Sequence, residues 1–144
     1  MKTEKTIIAI LLLAIIFLFS ACQNTPDPDN NSTITDYALD KEGTLSEYEC
    51  SARNLQDKIL VIHAEHCGAC KVAVPILQKL EEELDMTFEY YDLDVNSDRQ
   101  AMGKYNIIPH YTPTVLFGCE VTIGAKSESA YRAEIEDFLS KQTI

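Results

Sequence analysis

Cationic side chains are scarce: 12 lysines and arginines stand against 23 aspartates and glutamates, a net charge of −11. That balance excludes general electrostatic binding of nucleic acid or anionic lipid and otherwise speaks to solubility. No apolar run is long enough to cross a membrane. The longest, Ile7 to Phe19, has 13 residues. As a helix it rises only about 20 Å, against a hydrocarbon core of about 30 Å. No internal repeat occurs, and the one biased stretch, Gln23 to Ser32, is polar apart from two prolines. It cannot bury enough surface to fold and reads as a tether. The remaining chain, about 105 residues from Asp40 to Ile144, suffices for one small domain with one core.

What is present at the N-terminus gives an address. Lys2 and Lys5 precede the apolar run, and Phe19-Ser20-Ala21 sets small residues just before Cys22. This reads as a cleaved signal peptide. Small residues running into a cysteine also resemble the bacterial lipobox, although Phe19 stands where that family usually has leucine. The resemblance implies diacylglycerol on the Cys22 sulfur and cleavage before it; ordinary secretion with a spare thiol and an uncleaved anchor are the alternatives. The expected organisation is a signal peptide at 1–21, an acylated Cys22 with a flexible tether at 22–39, and a folded domain at 40–144. That domain would sit in the bacterial cell envelope, extracytoplasmic and lipid-anchored. Loss of Lys2, Glu4 and Lys5 leaves 10 basic and 22 acidic residues, a net charge of −12.

The folded part reads as alternating helices and strands. Thr44 to Leu55 is expected to be helical, with Thr44 and Glu47 at capping-box spacing and Leu45, Tyr48, Ala52 and Leu55 on one face. Ile59 to Ala64 is a strand apolar on both faces, as in a buried parallel position. Val72, Ile76, Leu77, Leu80 and Leu84 mark a helix that Pro75 should kink. Thr87 to Leu93 reads as a strand, and Ser97 to Tyr105 as a short helix capped by Ser97 and Gln100. Thr114 to Phe117 and Glu120 to Ile123, separated by Gly118-Cys119, signal a hairpin. Tyr131, Ile135, Phe138 and Leu139 line a closing helix.

The chemistry concentrates at Cys67-Gly68-Ala69-Cys70, which follows the apolar strand and opens a helix. Two thiols at that spacing can close a small ring, and the free N–H groups of a helix start favour thiolate over thiol. Together with Lys71, Pro75-Ile76-Leu77, Lys104-Tyr105-Asn106-Ile107 and Thr112-Pro113-Thr114, this order of elements resembles the thioredoxin superfamily over about Thr44 to Leu139. The resemblance implies an α/β thioredoxin-like fold with a central mixed sheet of four to five strands flanked by helices. It implies a thiol–disulfide oxidoreductase acting on protein thiols and disulfides without a cofactor. Cys67 would be the nucleophile and Cys70 the resolving thiol. Thr112 would offer its backbone to an extended substrate, and Pro113, after a cis peptide bond, would shield the thiols. A membrane redox partner would reset the dithiol, and the protein is expected to be a monomer. Gly68-Ala69 does not fix direction, because the family spans about −270 to −120 mV. A reducing or exchanging role is favoured, since the chain has no room for the helical insertion of Dsb-type oxidants.

Three departures from the thioredoxin pattern are visible. His66 replaces the tryptophan usual before the first cysteine; it either contacts substrate and lowers the Cys67 thiolate energy, or is an ordinary loop histidine. Val61 replaces a buried aspartate, so the usual proton acceptor for the second cysteine is missing, and Glu65 or water is left to substitute. The approach to Pro113, Ile108-Pro109-His110-Tyr111-Thr112, is two residues longer. Cys50 and Cys119 either form a second disulfide or remain separate; on the helix as read, Cys50 projects away from the Leu45–Tyr48–Leu55 face. The rival reading is an envelope metal-binding protein or copper metallochaperone using His63, His66, Cys67 and Cys70 as nitrogen and sulfur ligands.

Overall fold

A computed structural model describes residues 34–143. The expected signal peptide, Cys22 and most of the tether lie outside these residues. Strands are β1 (Tyr37–Leu39), β2 (Gly43–Thr44), β3 (Ile59–His63), β4 (Glu89–Asp92), β5 (Ile107–Pro109), β6 (Thr114–Phe117) and β7 (Glu120–Ile123). Helices are α1 (Glu47–Ala52), α2 (Cys70–Glu83), α3 (Asn96–Met102) and α4 (Glu128–Gln142), with a 3₁₀ turn at Gly103–Tyr105. The main sheet is mixed and five-stranded, in the order β2-β7-β6-β3-β4. β3 lies between β4, parallel to it, and β6, antiparallel to it. The sheet class read from the sequence is therefore the one observed.

β3 is buried on both faces because its side chains alternate between two apolar layers. Leu60 and Ile62 join Leu55, Tyr91, Tyr105 and Leu116 on one side. Ile59 and Val61 join Ala73, Leu77, Leu80, Tyr131 and Ile135, beneath α2 and α4, on the other. Val61 is fully buried in this second layer. It keeps dry and apolar the position where the resemblance expected a titratable group.

Several boundaries differ from the reading above. Folded chain begins before residue 40, since β1 pairs in parallel with β5, Tyr37 opposite Ile107. Thr44 is in β2, where its hydroxyl donates to Glu120 at 2.7 Å. The helix instead starts two residues later, at a second capping-box spacing: Ser46 Oγ accepts from the Glu49 N–H at 3.2 Å. Leu45 and Leu55 therefore lie outside the helix, which spans Glu47–Ala52, and do not mark its buried face. Tyr48 is exposed and Cys50 is wholly buried, the reverse of the expectation. α2 runs continuously through Pro75 and buries Cys70, Ala73, Leu77 and Leu80. Val72 falls off that stripe and is exposed, as is Leu139 on α4. α3 starts at Asn96, with no side-chain cap from Ser97, whose hydroxyl reaches Asp98.

The open question of Cys50 and Cys119 resolves as a disulfide between α1 and the β6–β7 turn, with Cα atoms 5.4 Å apart. Gly118 allows that turn to close: its φ is +60°, and an added Cβ would lie 3.0 Å from the Gln56 carbonyl and 3.2 Å from the Phe138 ring. A cross-link over 69 residues of sequence restricts the unfolded chain strongly. Converting both cysteines to alanine should lower the unfolding free energy by about 2–5 kcal/mol, read as a shift in denaturant midpoint. An unchanged midpoint would mean that the bond adds nothing.

Glu89 on edge strand β4 gathers four donors: Tyr91 at 2.6 Å, Tyr105 at 2.7 Å, Lys58 at 3.1 Å and Lys104 at 3.2 Å. Partial burial alone would raise its pKa, but these hydrogen bonds outweigh it and hold the carboxyl at about 2. Its contribution to stability is present above the ordinary carboxyl range and is lost as pH falls from about 4.5 towards 2. An acid unfolding titration should show this loss in the native chain and a smaller one in Glu89→Gln.

Candidate active site

Cys67 and Cys70 meet where β3 hands over to α2. They are bridged, with Cα atoms 5.2 Å apart. The two sulfurs are unequal in access: Cys67 is half-buried, whereas Cys70 is 2% exposed. Cys67 sits in the turn that leads into the helix, two residues before its N-cap, Ala69. Its carbonyl accepts from the Lys71 N–H at 3.2 Å, and its sulfur accepts from the Cys70 N–H at 3.1 Å. The N–H of the first helical residue, unpaired within the helix, is thus aimed at the Cys67 sulfur. Negative charge that develops on the Cys67 sulfur during exchange is therefore met by an amide already aimed at it and by the positive end of α2.

The third neighbour of this sulfur is the Thr112 carbonyl oxygen, 3.2 Å away. The Thr112–Pro113 peptide is cis, and Pro113 is buried at the start of β6. Two further bonds fix this loop. Thr114 Oγ1 donates to the Tyr111 carbonyl at 2.7 Å, and the Gly124 N–H donates to the Pro113 carbonyl at 2.8 Å. The longer approach to Pro113 is not an idle loop, since β5 and the His110 N–H, which donates to the Leu39 carbonyl at 3.0 Å, tie it to β1. Tyr111 is left exposed beside Thr112.

His66 projects into solvent, with 88% of its side chain exposed, and its Nδ1 lies 3.4 Å from Asp94. Its polar partner among the described residues is thus Asp94. The same carboxylate accepts from the Glu65 N–H at 3.0 Å. The His66 side chain above all, helped by the backbone N–H groups of His66 and Glu65, holds the Asp94 carboxyl below its usual range, and burial opposes it. Asp94 escaped the sequence reading. The available signal was the parallel β3–β4 pair, which sets the residues just past both strand ends side by side, His63 opposite Asp92.

The four ligands of the metal reading are not brought together. The two sulfurs are joined to each other, His66 turns to Asp94, and His63 Nδ1 faces Asp92 at 4.0 Å. Among the described residues no group of three or more histidine, cysteine or carboxylate side chains is placed to hold a metal ion.

Known proteins similar to this chain are thioredoxins. The thioredoxin family model matches residues 41–141. Thioredoxin of Borreliella burgdorferi is 27% identical over 110 residues, covering 73% of this chain and 86% of that protein. Thioredoxin of Bacillus subtilis is 29% identical over 79 residues, covering 53% of this chain and 76% of that protein. Among solved structures, the oxidised thioredoxin of Plasmodium falciparum is 25% identical, with 72% of this chain and 98% of that one covered at a TM-score of 0.41. With a half-exposed and a buried cysteine three residues apart at a helix start, and a family match over most of its length, the chain belongs to the thioredoxin family of thiol–disulfide oxidoreductases.

Proposed function

We propose that the mature protein is a lipid-anchored, extracytoplasmic oxidoreductase that reduces or exchanges protein disulfides through Cys67 and Cys70. The observation that carries this reading is the unequal access of the two sulfurs, one half-buried under a helix-terminal N–H and the other 2% exposed. The Cys67 thiolate attacks a substrate disulfide and forms a mixed disulfide, and one substrate sulfur leaves as thiolate. Cys70, already at bonding distance, then attacks the Cys67 sulfur. The substrate's second thiolate departs, and the Cys67–Cys70 bond carries away the two electrons' worth of oxidation. Reversal of the same steps oxidises a dithiol.

Thr112 and Pro113 would form the wall beside the attacking sulfur, where an extended substrate would lie, and exposed His66, next to Cys67 in the chain, is free to meet that substrate. The basic start, the apolar run and Cys22 support the anchor. The Cys50–Cys119 disulfide supports an oxidising compartment. There the dithiol requires a membrane redox partner to reset it.

Cys67→Ser should abolish disulfide exchange with a model protein disulfide. Cys70→Ser should accumulate a substrate-linked species on non-reducing gels. Full exchange by Cys67→Ser would overturn the nucleophile assignment. Palmitate labelling should mark the native protein and not Cys22→Ser, and equal labelling of the two would contradict the lipid anchor.

A further inference from the structure

Resolution of the mixed disulfide needs a proton to leave Cys70, and that thiol is 2% exposed, away from bulk water. Val61, buried among Ala73, Leu77 and Val115, offers no acceptor. Strand periodicity, however, carries the same face one step further. Ile59, Val61 and His63 alternate with Leu60 and Ile62, so His63 continues the row that runs beneath α2. It emerges at the end of that row in an open groove of about 300 Å³ lined by His63, Ala64, Glu65, Cys70, Lys71, Val74 and Pro75.

We propose that His63 is the proton acceptor for Cys70, across this groove, in the exchange reaction set out above; the inference rests on that reading. The His63 side chain is 20% exposed, so it is sheltered but in communication with solvent. Its Nδ1 lies 4.0 Å from Asp92 Oδ2, and the other Asp92 oxygen accepts the Asp94 N–H at 2.8 Å, which holds the carboxylate in place. Asp92 thus lies on the Nδ1 side of the ring, leaving Nε2 as the second proton site. The Tyr90 ring packs edge-on at 6.4 Å. The remaining charged groups around the groove are Glu65 from the β3–α2 loop and Lys71 from α2. Glu65 is the weaker candidate. It is exposed, and a carboxylate is intrinsically a poorer base than imidazole for a thiol proton.

The Cys70 S–H proton passes to His63, directly or through one groove water, and the Cys70 thiolate attacks the Cys67 sulfur. The Cys67–Cys70 bond forms as the Cys67–substrate bond breaks. The substrate leaves as thiolate and recovers a proton from imidazolium or water. In the oxidising direction imidazolium returns the proton to Cys70.

The test uses the full-length reduced chain, His63→Ala and His63→Gln, mixed with the aryl disulfide dithiobis(nitrobenzoate) and quenched in acid. Mass spectrometry of peptides then separates the Cys67–nitrothiobenzoate adduct from the Cys67–Cys70 disulfide. In His63→Ala the adduct should form at the native rate, while its conversion to the internal disulfide slows about 10²-fold at about pH 7. The difference should shrink above about pH 9, where thiols ionise unaided. Added imidazole should restore part of the rate in His63→Ala. His63→Gln, which keeps a polar partner for Asp92, should show the same slow second step. Native conversion rates in both variants would overturn the role of His63 while leaving the exchange function standing. Equal slowing of both steps without rescue by imidazole would also overturn it, by revealing a structural role. Failure of the native chain to form the Cys67 adduct would instead remove the functional reading itself.

Discussion

The Cys67 sulfur occupies a position defined by two backbone groups, the Cys70 N–H at 3.1 Å and the Thr112 carbonyl at 3.2 Å. One belongs to the first turn of α2 and the other to the loop before β6, 45 residues beyond Cys67. Much of the architecture serves to keep these two groups facing each other across one atom. β3 delivers Cys67 to its place, and β6, paired antiparallel to β3 from Ile59–Phe117 to Ile62–Thr114, delivers Thr112. A slip of one residue in that register would carry the Thr112 carbonyl away and turn the apolar faces of both strands the wrong way.

Rigidity at this junction comes from what surrounds it. The apolar layer under α2 and α4 fixes the helix, and the Thr114 hydroxyl and Gly124 N–H fix the Tyr111–Pro113 turn. The Cys50–Cys119 bond and the buried Arg53 act on the opposite side of the sheet. Arg53 is 3% exposed; its guanidinium pairs with Glu49, donates to the Thr35 carbonyl at 2.7 Å and to the Asn106 carbonyl at 3.3 Å, and lies over the Tyr37 ring. It thereby ties the entry of the folded chain to the segment that leads, through β5, to Thr112. The first residues after the tether are thus linked to the substrate-facing loop by hydrogen bonds and strand pairing rather than by sequence proximity.

The hairpin, the central strand and the dithiol were legible because each rests on a strong local signal: a Gly-centred turn, an unbroken apolar run, and cysteines at the junction of strand and helix. The short strands were not. β2 has two residues and β1 three, too few for periodicity to register, and both exist only because β7 and β5 pair with them. In α1 two capping boxes overlap in Thr44-Leu45-Ser46-Glu47-Tyr48-Glu49, and the pairing of Thr44 with β7 decides between them. The helix then spans only Glu47–Ala52, so Leu45 and Leu55 do not define its face; Cys50 is its buried residue and forms the second disulfide. At the site, Asp94 and the groove face of His63 depend on the parallel β3–β4 pairing, which no single segment displays.

The account stands on Cys67 being the reactive, anion-stabilised sulfur and Cys70 its sheltered partner. Alkylation of the reduced protein by iodoacetamide at about pH 7, where an ordinary thiol with a pKa near 8.5 is mostly protonated, measures this most directly. Peptide mass mapping should find Cys67 modified well ahead of an unstructured thiol and Cys70 essentially untouched. Modification of Cys67 at or below the rate of the unstructured thiol, or of Cys70 first, would contradict it.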